Sequence, residues 1–267
     1  MPRPIDLPDF TEPPLNEVAL GVQFSPIPGY SAVDARDIWE LFRSEYPRIE
    51  ERPPLPPQFE TFGGSGGFPS MQFQFNQALP PMRLLFVSER GDNLLQFQPD
   101  RFLMNWRQSD GAASYPRYEK ISQLFEAGIK KLIEYIHSSK NHDLDINQIE
   151  ISYINIIPVD DISNQDKWLK LWPSVSLPLE MLNANFTEVV HGDDEKPLAR
   201  LHHALQSMIS IDGKAKAIRF DMSYRGKPDT PNIDDALNLL GKGRIAIVKR
   251  FTDLTTDDAH RAWGRTI

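Results

Sequence analysis

The sequence predicts an α+β protein with two antiparallel sheets, each covered by one or two helices, joined near residues 158–182. Three observations carry that prediction. Between residues 71 and 107 the strand-like runs are separated only by Pro80-Pro81, Arg90-Gly91-Asp92 and Pro99-Asp100. Such turns close antiparallel hairpins and leave no room for the crossover helices of a parallel sheet. After them, Ile121, Leu124, Phe125, Ile129, Leu132, Ile133 and Ile136 recur at the spacing of one helix face. Finally, Pro158, Pro173 and Pro178 interrupt the middle of the chain, dividing it into units of residues 1–157 and 158–267, with a soft boundary at 158–182. The chain of 267 residues is long enough for a sizeable core in either unit.

Taken in order, the first twelve residues are rich in proline and acids and read as extended. Val18, Leu20, Val22 and Phe24 alternate with Ala19, Gly21 and Gln23, the period of a strand with one apolar face. A helix follows, with Ser31 as N-cap, Asp34 and Asp37 in its first turns, and Val33, Ile38, Leu41 and Phe42 at helical spacing. Tyr46-Pro47 stops it, because the residue before a proline is pushed out of the helical region. Residues 52–70, RPPLPPQFETFGGSGGFPS, are a loop by composition, PPLPP being a stiff spacer that leads into the glycines. Strands are expected at 71–75, 83–87, 93–98 and 101–107, a long helix from Tyr115-Pro116-Arg117-Tyr118, and a strand at 149–157 with Ile149, Ile151, Tyr153 and Asn155 on one side. In the second unit, strands are expected near 184–190, 200–211 and 215–224. A helix near 233–240, a second helix or a strand near 244–251, and a last helix from about Thr256 complete it. Strands followed by helix occur in both units, without a sequence repeat.

Hydrophobic residues make up 40% of the chain, and no apolar run approaches the roughly 18 residues that a membrane span needs. With no cysteine, disulfides, thiolate nucleophiles and thiolate metal ligands are excluded. The start, MPRPIDLPDF, lacks the apolar core of a signal peptide, so the expected location is the cytoplasm and no membrane partner is expected. A net charge of −8 argues against nucleic-acid binding by the whole surface, which needs a cationic footprint. Residues 214–250, with nine basic and four acidic side chains, are the one positive region.

Four stretches carry a resemblance. They are Pro13-Pro14-Leu15-Asn16-Glu17-Val18 leading into a strand that ends Gln23-Phe24, the aromatic run Phe102-Leu103-Met104-Asn105-Trp106-Arg107, the helix start Tyr115-Pro116-Arg117-Tyr118-Glu119, and Ser152-Tyr153-Ile154-Asn155. Together they resemble a sporadically distributed family of bacterial proteins of about this length, for which no activity is established. The resemblance covers most of residues 13–157 and the rest loosely. It implies occurrence in mobile genome regions, and with it a defence or toxin–antitoxin role rather than core metabolism. Chains of that family tend to run on past a final helix bearing His and Trp, whereas this sequence stops at Ile267, so the expectation is an incomplete last element.

The main enzyme signatures are missing: no serine sits in a nucleophile elbow, no G-x-G-x-x-G follows a strand, and no helix bears H-E-x-x-H. The leading expectation is therefore a non-enzymatic protein that binds a protein partner, with no cofactor and no metal. Its expected contact residues are Phe59, Phe62 and Phe68, apolar side chains on a loop that has no core to bury them in. The alternative is a nucleic-acid-binding regulator using Lys214, Lys216, Arg219, Arg225, Lys227, Lys242, Arg244, Lys249 and Arg250. A solvated basic face balancing the acidic first unit explains the same residues.

The second alternative is a metal-assisted hydrolase whose catalytic candidates are His191, Asp193, Asp194, Glu195, His202 and His203. Against it, adjacent residues of a strand point to opposite faces, and acids beside a glycine are ordinary hairpin chemistry. His142-Asp143 near His137 reads as a polar turn. Gly63-Gly64-Ser65-Gly66-Gly67 and Gly241-Lys242-Gly243-Arg244 lack the Lys-Ser/Thr pair and helix start of a phosphate loop, and read as flexible linkers. Phe102, Trp106, Arg107, Tyr115, Arg117 and Tyr118 have the composition of a platform for stacking single-stranded nucleic acid. Period two nevertheless puts Phe102, Met104 and Trp106 on one face, suited to packing beneath the following helix.

Overall fold

The structure, a computed structural model, describes residues 3–62, 81–109, 115–171 and 178–267. Its strands are β1 (Leu15–Phe24), β2 (Arg48–Arg52), β3 (Arg83–Val87), β4 (Asn93–Gln98), β5 (Arg101–Arg107), β6 (Ile146–Val159), β7 (Asn183–His191), β8 (Pro197–Ile209) and β9 (Lys216–Gly226). Its helices are α1 (Asp34–Glu40), α2 (Tyr118–Lys140), α3 (Ile233–Leu254) and α4 (Asp257–Ala262). These strands form one antiparallel sheet in the order β2-β3-β4-β5-β1-β6-β9-β8-β7, which corrects the expectation of two sheets.

The reason lies in β6. One of its edges pairs with β1, from Leu15↔Asn155 to Phe24↔Ile146, and the other pairs with β9, from Ile149↔Gly226 to Val159↔Lys216. The boundary expected at 158–182 therefore separates, along the chain, strands that are neighbours in space. Pro158 does not end the strand. The Ile156 N–H donates to the Pro14 carbonyl on the β1 side. Two residues on, Pro158 turns the same way, past the start of β1, so its missing N–H leaves no gap in the ladder with β9.

The topology is doubled about the central β1–β6 pair. The meander β3-β4-β5 ends beside β1 and runs into α2, and the meander β7-β8-β9 ends beside β6 and runs into α3. Both long helices lie on the same face. α2 packs on β5 and β1, and α3 on β6 and β9. Phe102, Met104 and Trp106 are buried here, with the Phe102 ring 6.1 Å from Phe125 and Trp106 5.2 Å from Tyr115, so the aromatic strand is core rather than a stacking platform.

Two local expectations change. The charged edge strand β2 follows Tyr46-Pro47 directly and pairs with β3; its sequence RIEER offers no alternation to read, but charge is what keeps a sheet edge from recruiting other chains. α3 is one continuous helix through Gly241-Lys242-Gly243-Arg244, which is thus no linker. A Cβ at Gly243 would stand 2.6 Å from both Ile151 Cγ2 and Tyr224 Cδ1, so glycine here lets the helix axis approach the sheet. α4 starts as expected, with the Thr256 hydroxyl accepting from Ala259 N–H. The strand expected at 71–75 lies outside the described residues.

Gly243→Val should cost about 3 kcal/mol, the upper end of core overpacking, read as a lower urea midpoint. Lys242→Ala, on the exposed side of the same turn, should stay within about 0.5 kcal/mol of the parent.

Candidate functional site

No helix of the described residues covers the other face of the sheet. Strand alternation sends Glu17, Gly21 and Gln23 of β1 there, together with Arg101 and Asn105 of β5, Glu150 and Ser152 of β6, Asp221, Ser223 and Arg225 of β9, and Arg200 and His202 of β8. These side chains tie the strands together. The Glu17 carboxylate accepts from Asn105 Nδ2 at 2.5 Å, Asn105 Oδ1 from Gln96 Nε2 at 2.7 Å, and Gln96 Oε1 from Arg83 Nη1 at 2.8 Å, one run from β1 to β3. On the other side of the centre, Ser152 meets Ser223 at 2.6 Å and Arg225 pairs with Glu150 at 2.7 Å. The face is polar, internally paired and held on rigid strands.

Residues 53–62 cross this face as an extended strap. Four of its first five residues are proline, so between residues 53 and 58 only Leu55 and Gln58 keep a backbone N–H. Both are met by glutamine side chains: Leu55 donates to Gln98 Oε1 at 3.0 Å and Gln58 to Gln23 Oε1 at 2.9 Å. Gln98 Nε2 returns a bond to the Leu55 carbonyl at 3.0 Å, and Arg101 donates to the Pro56 carbonyl at 3.0 Å. With its amide turned so that nitrogen donates to the Gly226 carbonyl, Gln148 accepts from Glu60 N–H at 2.8 Å. Arg200 donates to the Thr61 carbonyl at 2.8 Å. The strap is thus held by its main chain, across strands from β4 to β8.

Its far end is latched by charge. Glu60 Oε1 lies 2.8 Å from His202 Nε2, and Glu60 Oε2 pairs with Arg200. Burial alone would raise the Glu60 carboxyl, but the hydrogen bonds from His202 and Arg200 outweigh it and hold the group below the usual carboxylate range. His202 Nδ1 also meets Thr187 Oγ1 at 3.1 Å, giving the order carboxylate, imidazole, hydroxyl. Since Arg200 occupies the second carboxylate oxygen and Glu60 anchors the strap, this run serves as a latch.

The sequence-derived sites fall as follows. Phe59 is 60% exposed on the strap, Phe62 is part-buried with the Arg200 guanidinium 4.6 Å from its ring, and Phe68 lies outside the described residues. The basic set is not brought together. Arg219 and Arg225 lie on the open face, paired with Asp221 and Glu150, while Arg244 is buried between the helices against Glu119. Arg250 pairs with Glu188 on the helix side of the sheet, and Lys216 pairs with Asp161. Lys214 lies in the β8–β9 turn; Lys227 precedes α3, and Lys242 and Lys249 are exposed on it.

His191, Asp193, Asp194 and Glu195 form the β7–β8 turn, where Asp194 accepts from Lys196 N–H at 3.1 Å and Glu195 takes a φ of 62°. His202 and His203 do point to opposite faces. His203 is buried, stacked 4.3 Å from the Phe186 ring and 2.8 Å from Glu188 Oε1. Among the described residues no three metal-ligating side chains cluster, so the hydrolase reading loses its ligand set.

The face itself was only half legible. Alternation along residues 18–24 marks Gln23 as turned away from the core, but nothing in the sequence says that a proline spacer thirty residues on lies against it. No protein-family model matches the chain, and no curated protein matches it.

His203 and His260 are both held below the ordinary imidazole value, first of all by burial. The unfolded chain therefore takes up these protons first as pH falls, so stability should be full above about pH 6.5 and decline below it. His203→Leu should flatten the fall in melting temperature between about pH 7 and pH 5.

Proposed function

We propose that the protein is a non-enzymatic binding protein whose open sheet face takes an extended segment of a partner protein, laid beside the strap. The carrying observation is the strap. Amide and guanidinium side chains of this face already hold the main chain of one extended segment through Gln23, Gln98, Arg101, Gln148 and Arg200. On β7, β8 and β9, around the His202 end of the latch, lies a groove of about 320 Å³ lined by Asn185, Thr187, Ala204, Asp221, Ser223 and Arg225, with the same mixture of donors and acceptors. Phe59 stands exposed on the strap, an apolar anchor of the kind that carries interface energy. The resemblance noted above supports a bacterial defence or toxin–antitoxin setting. No described helix is long and apolar enough to cross a membrane.

Panning the full chain against a displayed library of linear peptides should enrich binders. Ser223→Trp, which puts a bulky ring into the groove, and Phe59→Ala should each weaken the enriched peptides by about tenfold or more, with Lys130→Ala on the outside of α2 as a silent control. Failure to enrich linear peptides, or binders indifferent to Ser223→Trp, refutes the reading.

A further inference from the structure

On the helix side of the sheet, the N-terminal segment, α2 and α3 leave a cavity of about 60 Å³ above β6. Pro13, Leu15, Tyr115 and Arg117 line both this cavity and the neighbouring surface groove, so the two adjoin. The walls are apolar, with Leu7, Phe10, Ile247, Val248 and Phe251 among them. Two phenols supply polarity. Tyr153 is 7% exposed, and its hydroxyl meets the Tyr115 hydroxyl at a long 3.5 Å. Two hydroxyls carry two O–H donors and a single contact between them uses one, which leaves one donor without a partner among the described residues. Burial raises both, Tyr115 to about 12 and Tyr153 well above the ordinary phenol value, so the phenols stay protonated and able to donate.

The surroundings favour an anion. Arg117 and Arg3 share the single carboxylate of Asp9, at 2.9 and 3.1 Å, leaving one positive charge in excess in the cavity's own lining, while Glu12 lines the adjoining groove. Deeper in, Arg244 pairs with Glu119 at 2.7 Å and lies 4.6 Å from the Tyr118 ring. The 23-residue helix α2 begins on the same spot, and its N-cap residue Arg117 makes no side-chain capping bond. Arg117 holds φ 73° and ψ 154°, a backbone region nearly reserved for glycine, and such strain persists where the surroundings enforce it. The first N–H groups of the helix and its dipole add to the positive field.

We infer that this cavity binds a small monocarboxylate of acetate to propionate size, its tail no more than one or two carbons. The tail packs on Leu7, Phe10, Ile247 and Phe251, and the carboxylate accepts from the spare phenol O–H near Arg117 and the start of α2. A neutral alcohol of the same length leaves the field unanswered, and an amine opposes it. The cavity and the strap lie on opposite faces of the sheet, so the two proposals stand or fall separately.

Isothermal titration of the full chain with sodium acetate and sodium propionate should give saturable binding, and ethylamine and ethanol should give none. Tyr153→Phe keeps the ring and removes the hydroxyl, so it should preserve the melting temperature and weaken acid binding about tenfold. Val248→Phe, which fills the cavity from α3, should abolish it. Should Tyr153→Phe fail to fold, Tyr115→Phe removes the other member of the pair from a part-exposed position. No saturable binding of either acid, equal binding of the amine or alcohol, or acid binding untouched by the phenol variants overturns the inference.

Discussion

The double-sided pairing of β6 is the constraint on which the rest depends. Fourteen residues long, it is hydrogen-bonded to β1 on one edge and to β9 on the other, and so joins two meanders into one sheet. Every later feature follows from that continuity. The two long helices share one face because their meanders end on either side of the same antiparallel central pair, and a two-fold repeat of topology about that pair becomes one core in place of two. The strap crosses strands from both halves only because those strands are coplanar neighbours.

Continuity also divides the chemistry by face. The helix side takes the apolar set of each strand and closes over it with Phe125, Ile129, Ile247 and Phe251, leaving few polar groups inside. Those few are informative: among the described residues Tyr153 and Tyr115 find only each other, and His203 finds Glu188 without a well-aligned hydrogen bond. The open side instead satisfies its polar groups sideways, strand to strand and strand to strap. Since an unpaired buried polar group costs about 1–3 kcal/mol, a proline-rich segment with few N–H groups to satisfy is well suited to lie there. Gln23 and Gln98 meet the two N–H groups that the prolines leave between residues 53 and 58.

By itself the sequence determined what depends on near neighbours along the chain. Alternation placed Val18, Leu20, Val22 and Phe24 against the core, the 3.6-residue period placed α2, Thr256 started α4, and adjacent His202 and His203 had to diverge. It identified PPLPP as stiff and the acids after His191 as a turn. Only the tertiary structure decided which strands pair, because one antiparallel edge is chemically like another and the partner of β6 lies about seventy residues away. For the same reason it decided that Gly243 sits in a helix pressed on Ile151, that the basic residues 214–250 are divided between two faces, and that Gln23, Gln58, Glu60 and His202 meet on one surface. Pairing and packing are set by shape and hydrogen-bond satisfaction across long separations, which a local pattern of residues does not encode.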